Sequence, residues 1–358
     1  MRNDNYWRKD ASGGKLPYLD KITFTVVKEG SQRAAAVRKG TYDVGFFVTA
    51  EATFIKDLQK RKSVVKGYES TKTAWGQWMP NVNKPGSPFK HKNCRLAAAH
   101  AIDWKSYNKV RLRGLGNYSG SVVGKGHPMY TTSGAPKYNL ALAKEYVEKC
   151  KVDNGGSFNV TLYADTSTQS QNNTKFIRNQ MLKAGINVNN PDIKEAVQIV
   201  ASIYRGGGNL NDFAQGTPAE GGDAAYVVPF FVSRAFPATS QSPLLTTVTI
   251  KTANGPVPIG RAYNTVIALG NHSDTTLDNL IYNAQAATDP KVARKRWIAA
   301  TRYIQQNGYA IPAIHSGFYL FTNNKSKLGG VGKLKMPGGQ LAEVAETKGF
   351  EYTGIWKG

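Results

Sequence analysis

Ile22-Thr23-Phe24-Thr25-Val26-Val27, then Ser31 to Gly40, then Val44-Gly45-Phe46-Phe47-Val48: the fold turns on how this stretch is read. Ile22, Phe24 and Val26 alternate with Thr23, Thr25 and Val27, the period-2 pattern of a strand. Ser31 is placed to cap a short helix through Ala34, Ala35 and Val37, and Gly40 suits the left-handed residue beyond a helix end. Val44, Phe46 and Val48 resume the alternation. Strand, helix and strand predict a βαβ unit, with parallel strands and a right-handed crossover, so Val26 and Val44 are expected on neighbouring strands of one sheet. A second helix starting at Thr49 would bury Phe54, Ile55 and Leu58.

At 358 residues the chain is long for one core, and two lobes are expected. A hydrophobic share of 41% suffices for a packed interior, while 36 glycines and 16 prolines imply many turns. No stretch approaches the roughly 20 consecutive apolar residues of a membrane span, so a soluble chain is expected. Residues 1–20 carry Arg2, Arg8 and Lys9 before Asp10-Ala11-Ser12-Gly13, with no apolar core of a secretory signal. Two cysteines, Cys94 and Cys150, are too few for a disulfide framework or a metal knuckle. Cys150 falls on the apolar face of a predicted helix with Tyr146 and Val147, which favours a buried free thiol. A Cys94–Cys150 bridge is the alternative in an oxidising compartment.

The formal net charge is +23, from 47 basic and 24 acidic residues. Such an excess attracts phosphate, which makes a cationic nucleic-acid or envelope-surface interaction protein the alternative reading. The basic residues are dispersed, however. Lys56, Lys60 and Lys62 lie along one helix and its end, Arg294, Lys295 and Arg296 along another, and Lys325, Lys327, Lys333 and Lys335 near the C-terminus. No zinc spacing or aromatic RNA-binding strand accompanies them, so solvated helix faces are the expectation and nucleic acid is not expected as a partner.

Helix caps are legible throughout. Asp103 is placed to cap a helix from Trp104, Asn139 one containing Leu142, Ala143, Val147 and Cys150, and Asp289-Pro290 one lined by Trp297, Ile298, Thr301 and Ile304. Phe158, Val160 and Leu162 mark a strand. A helix through Phe176, Ile177, Met181 and Leu182 follows and ends at Gly185, a second βα unit. Gly114-Leu115-Gly116 and Gly124-Lys125-Gly126 neither follow a strand nor open a helix, so they read as loop glycines and not as phosphate cradles. The five histidines, His91, His100, His127, His272 and His315, show no metal or catalytic spacing, and no GxSxG elbow occurs. No catalytic residue, metal site or cofactor is assigned, and an enzyme is not expected.

Four signatures then stand in fixed order: Asn5-Tyr6-Trp7, Pro17 to Ile22, Gly40 with Tyr42-Asp43-Val44, and Arg95-Leu96-Ala97-Ala98-Ala99-His100-Ala101-Ile102-Asp103. Pro88, Phe89, Tyr138, Ala143, Lys144, Asp289 and Ile311-Pro312 continue the pattern, as does the strand-like run Asp223 to Val228. Together they resemble the large extracellular solute-binding proteins of ABC importers, family 5, which includes oligopeptide-, dipeptide- and nickel-binding receptors. The resemblance begins in mid-family. It implies an α/β, two-lobed, type II periplasmic-binding-protein-like architecture with mixed sheets, N-terminally truncated, with a secretory signal upstream and a periplasmic or extracellular, envelope-associated location. The first lobe would comprise residues 1–86 and 317–358, with Phe318 to Thr322 returning to it, and the second lobe residues 87–316. The implied function is capture of a peptide-like or oligosaccharide solute in an interlobe cleft and its delivery, by a monomer, to an ABC permease.

The same resemblance places Trp75, Gln77, Trp78, Tyr226, Phe230, Phe231 and Arg234 on the cleft-bordering segments, and His315 near the cleft after the Ile311-Pro312 strand. Aromatic walls with a few fixed polar groups are what such a cleft needs. One departure matters. Where peptide-binding members carry an aspartate for the ligand amino group and an arginine within the Asp-led strand, this chain has Val232 and Tyr226. A free peptide terminus is therefore not the expected ligand; a neutral one such as an oligosaccharide, or a peptide held by backbone contacts, is favoured, and without a histidine or carboxylate cluster nickel is not expected.

Overall fold

The computed structural model describes residues 3–10, 12–70, 76–82, 86–195, 274–333 and 352–358, with short segments at 198, 210–213, 231, 236–237, 244–252 and 255–262. Helix α1 (Gly30–Lys39) ends as read: Gly40 adopts φ 83° and its N–H returns to the carbonyls of Ala36 and Val37. Its start differs from the expectation. The helix begins at Gly30, one residue before Ser31, and no side chain caps it. Strand β1 (Val44–Val48), helix α2 (Ala52–Gln59), strand β2 (Val65–Ser70) and strand β3 (Gln77–Pro80) follow.

The predicted strand over residues 22–27 is absent, and with it the opening βαβ unit. Residues 21–29 are without regular structure, Phe24 is 71% exposed and Val26 89% exposed. The carbonyl of Val27 accepts from the Arg33 guanidinium instead of from a ladder, and Phe24 meets Tyr352 edge-on with ring centroids 5.3 Å apart. Alternation assigns side chains to faces, but a strand also needs a partner edge. The neighbour of β1 comes from the far end of the chain.

Helices α3 (Lys92–Ala101), α4 (Trp104–Val110) and α5 (Leu140–Asp153) come next. Asp103 accepts from Ser106 N at 3.0 Å and Asn139 from Leu142 N at 3.0 Å, the caps read from sequence. Strands β4 (Asn159–Val160) and β5 (Tyr163–Asp165) lead to helix α6 (Thr168–Lys183), and strands β6 (Asn187–Val188) and β7 (Asp192–Lys194) return. β4 pairs with β6 and β5 with β7, both in parallel, as a helical crossover requires. Beyond them are β8 (Leu210–Phe213), β9 (Phe236–Pro237), β10 (Leu244–Thr252) and β11 (Gly255–Ala262), the last two an antiparallel hairpin. The expected Asp223 to Val228 strand lies outside the described residues.

Helices α7 (Thr275–Gln285) and α8 (Pro290–Gln306) follow, the second capped by Asp289 through Lys291 N and Val292 N. β12 (Ile311–Pro312), β13 (Phe318–Asn323), β14 (Leu328–Gly329) and β15 (Trp356–Lys357) complete the chain. Among the described residues no helix is long and apolar enough to cross a membrane.

β13 lies between β1 and β2, antiparallel to both, with Val44 opposite Thr322. Its alternation sorts two cores. Tyr319 and Phe321 pack with Val37, Phe47, Ile55 and Leu58 under α1 and α2, while Phe318 and Leu320 meet Val331 and Ile355 on the other face. Asn323 Nδ2 donates to the Val37 carbonyl at 2.6 Å and so closes the end of α1 from a distant strand.

A second body surrounds α3, α5 and α6, with Ala97, Ala98, Val147, Phe158 and Ile177 at its centre. Cys94 and Cys150 form a disulfide across α3 and α5, with Cα atoms 4.7 Å apart. The buried free thiol expected for Cys150 is therefore replaced by the bridge. Two residues facing each other across a helix pair cannot be inferred from either helix alone. A third core joins Met79 and Phe231 to Trp297, Ala300 and Ile304 of α8. Strand β3 runs between β12 and β8, linking this region to the rest.

Candidate functional site

A cleft of ≈ 600 Å³ opens between the β1–α2 corner and the second body. One wall is Lys28, Ala50 and Glu51, the opposite wall is the turn Asp165 to Ser170 with the first turns of α6, and Trp78 and Ile314 lie between them. The aromatic side is built by helix spacing. Trp104 and Tyr107, three residues apart on α4, share one face, with rings 5.6 Å apart and nearly perpendicular. Trp78 meets Trp104 edge-on at 5.3 Å. This geometry suits the ring quadrupoles and fixes a rigid apolar surface.

Polar contacts cross the cleft. Lys28 Nζ reaches both carboxylate oxygens of Glu195 at 2.8 Å. Asn173 Nδ2 donates to the Ala50 carbonyl at 3.4 Å, while its Oδ1 accepts from Arg111 Nε at 3.0 Å. Arg113 Nε donates to Thr53 Oγ1 at 3.2 Å. Glu51 pairs with the Arg33 guanidinium and accepts from Val48 N at 3.1 Å. Burial pushes its carboxyl above the ordinary range, Arg33 opposes that shift, and the nearby Asp165 charge adds to it.

Of the residues expected to line the cleft, Trp78 does so. Gln77 points away, fully enclosed, its Nε2 3.6 Å from Met79 Sδ. His315 is 1% exposed, its Nε2 2.8 Å from Ser119 Oγ and 3.3 Å from the Ser121 carbonyl, while Ile314 and Ser316 on either side line the cleft. Phe231 is enclosed in the α7–α8 core with Met79. The described members of the expected set thus do not meet in one concavity. Trp75, Tyr226, Phe230, Val232 and Arg234 lie outside the described residues.

Glu51, Trp104, Tyr107, Asp165 and Asn173 line the cleft without having been expected there. Trp104 and Tyr107 follow a helix cap and read as an ordinary amphipathic face. The usable signal was Asp165-Thr166-Ser167, a polar turn between a strand and a helix, where loop groups of α/β folds commonly meet ligands. Among the described residues no group of three His, Cys, Asp or Glu side chains could hold a metal ion.

Gly76 holds the backbone against His315. A Cβ there would lie 2.6 Å from His315 N and 2.7 Å from its ring, and the Gly76 carbonyl accepts from Ala313 N at 2.7 Å. Gly76→Ala should therefore cost about 1–3 kcal/mol through overpacking, measured as a drop in the urea midpoint with unchanged slope. Wild-type stability in that variant would mean the β3–β12 junction yields freely.

An α/β chain with separate parallel and antiparallel sheets and a cleft lined by residues from Val26 to Ser316 has the architecture of type II periplasmic binding proteins. Solved structures agree on that fold. DppA from Helicobacter pylori, an ABC transporter-associated periplasmic binding protein in complex with the peptide STSA, superposes with a TM-score of 0.69 at 19% identity, covering 97% of this chain and 59% of that one. NikA from Staphylococcus aureus, in complex with Ni(L-His)2, gives 0.62 at 16% identity, over 88% of this chain and 59% of that one.

Residues 1–228 match the bacterial extracellular solute-binding proteins, family 5 Middle, and the chain belongs to that family. The glutathione-binding protein GsiB of Escherichia coli O6:K15:H31 (strain 536 / UPEC) is 24% identical over 315 residues, covering 86% of this chain and 54% of its own. The chain spans about half the length of the curated relatives it matches.

Proposed function

We propose that this chain is the solute-binding component of an ABC importer, which captures a small solute in the cleft and presents it to the membrane permease. The observation that carries this is the ≈ 600 Å³ cleft between the β1–α2 corner and the α6 turn, in a chain that belongs to family 5. Two lobes, residues 1–86 with 317–358 and residues 87–316, would close over the solute by a hinge motion near β3 and β12. The chain acts by binding and not by catalysis, consistent with relatives named as binding proteins. A peptide-like solute is favoured over an oligosaccharide, because GsiB is named for glutathione and the DppA structure holds a peptide. The Cys94–Cys150 bridge supports an oxidising location such as the periplasm or outer cell envelope.

The test is a tryptophan-fluorescence titration with di- to tetrapeptides and, separately, malto-oligosaccharides. Saturable binding of a peptide is expected, and Tyr107→Ala should weaken it about tenfold by removing aromatic contact area. The reading fails if neither class binds, or if duplex DNA binds tightly at physiological salt.

A further inference from the structure

Helix α8 carries the cations Lys291, Arg294, Lys295, Arg296 and Arg302 between Pro290 and Gln306, and no aspartate or glutamate. Its buried face, with Trp297, Ala300 and Ile304, packs in the α7–α8 core. Outside that face Lys291, Arg294, Lys295 and Arg302 line a groove of ≈ 380 Å³ floored by Ile298 and Ala299. Residues spaced by three and four along a helix share one stripe, as these six do. All four cations are exposed. None has an anionic partner among the described residues. Arg296 turns aside to the Asn283 carbonyl at 2.7 Å, and Asp289, the acid that precedes the helix, accepts from Lys291 N and Val292 N.

Two observations set this stripe apart from a solvated helix face. On α5 the surface lysines are answered within the helix, Lys149 by Glu145 at 2.6 Å and Lys151 by Glu148 at 2.7 Å. On α8 Lys291 has Arg294 and Lys295 three and four residues on, like charges that destabilise a helix. Lys291 also stands in the first turn, where the helix macrodipole favours acids, and that turn holds none. The stripe is carried against local helix preference, and an external anion would answer it. The second observation is apolar. Val292 beside the stripe is 42% exposed, and Ile298 and Ala299 are half-buried. Cations interleaved with aliphatic side chains along one helix face suit a helix lying among lipid headgroups. A nucleic-acid backbone would engage the cations and leave the aliphatic floor unused.

We infer that α8 is the face with which this chain rests on a leaflet of anionic phospholipid, with Lys291, Arg294, Lys295 and Arg302 on the phosphates and Val292 and Ile298 toward the acyl boundary. The inference goes beyond solute capture and does not depend on the solute. No α8 residue lines the cleft, so docking by α8 leaves the cleft lining free. A receptor held in this way is confined to the surface in which a permease sits. Its search for that permease then runs in two dimensions.

The experiment sediments the full 358-residue chain with vesicles of phosphatidylcholine alone, or of phosphatidylcholine and phosphatidylglycerol in equal parts. Binding to the mixed vesicles only is expected, weakening as salt rises. Lys291→Gln/Arg294→Gln/Lys295→Gln/Arg302→Gln should lower that affinity about a hundredfold, a few-fold for each cation removed from the surface. Lys39→Gln/Lys60→Gln/Lys109→Gln/Lys183→Gln removes the same charge from exposed lysines on or beside α1, α2, α4 and α6. It should bind within about twofold of wild type, because charges away from the contact are screened. Val292→Ser keeps the charge and should weaken vesicle binding a few-fold. Should the fourfold α8 variant not fold, Lys295→Gln and Arg302→Gln singly, each a few-fold weaker, decide. No binding to the mixed vesicles, equal binding to phosphatidylcholine alone, wild-type affinity in the α8 variant or equal loss in the two fourfold variants overturns the inference. So does tighter binding of duplex DNA or poly-glutamate than of the mixed vesicles at the same salt. Peptide titration of the same variants tests solute capture separately, since the substituted residues lie away from the cleft.

Discussion

Alanine in place of Arg95 should lower the stability of the fold by about 3 kcal/mol, the loss expected when a buried charged donor leaves several acceptors unpaired. Arg95 is enclosed on α3, and its guanidinium donates to the carbonyls of Asn307 at 2.6 Å, Phe89 at 2.7 Å and Lys90 at 3.0 Å. It also lies over the Tyr309 ring, 4.6 Å from the centroid. Tyr309 and Tyr303 in turn donate their hydroxyls to Asp274 Oδ2, at 2.8 and 2.9 Å, and Asp274 caps α7. One side chain therefore ties α3 to the end of α8 and, through two tyrosines, to the start of α7. Burial pulls the Arg95 guanidinium below its ordinary range, and the neighbouring tyrosines and Asp274 restrain that shift. Arg95→Lys should rescue little, because a compact ammonium cannot span three carbonyls with fixed planar geometry. Urea unfolding of both variants by circular dichroism checks this. An unfolding free energy for Arg95→Ala within about 0.5 kcal/mol of wild type would show that the carbonyls find other donors.

Removing the disulfide should have a comparable effect. Cys94 and Cys150 are 56 residues apart in sequence, and a cross-link over such a loop restricts the unfolded chain enough to contribute about 2–4 kcal/mol. Cys94→Ala/Cys150→Ala, or the wild type in dithiothreitol, should melt at a lower temperature. The reduced wild type and the double variant should then agree. A melting temperature unaffected by complete reduction would place the stability of the α3–α5 pair in packing alone. Because both cysteines lie away from the cleft, solute affinity at low temperature should change little in either case.

The motif beginning at Arg95 shows how far residue patterns carry. The motif signalled family and helix, but the arginine's work, bracing α3 against the α8 end, depends on Asn307 far along the chain. Cap positions were more transparent. Asp103, Asn139, Asp289 and Gly40 act within a few residues of themselves, so local chemistry sufficed to place them. The same holds for α6, whose crossover between parallel strands follows from the strand–helix–strand order.

Residues 22–27 mark the limit from the other side. Their alternation is that of a strand, yet β1 pairs with β13, and Phe24 and Val26 are left exposed. Periodicity is a property of a segment, whereas a hydrogen-bonded ladder is a property of two segments brought together. The cleft is the same kind of object. The family resemblance placed Trp78 there, but Glu51, Trp104 and Asp165 come from three separate elements whose meeting no single stretch encodes. By itself the sequence determined the family, the α/β class and the helix ends, because these rest on local pattern and order along the chain. Only the tertiary structure decided which strand completes the first sheet, that Cys94 meets Cys150, and which charges face one another across the cleft. Each of these is a contact between distant segments, selected by the packing of the whole.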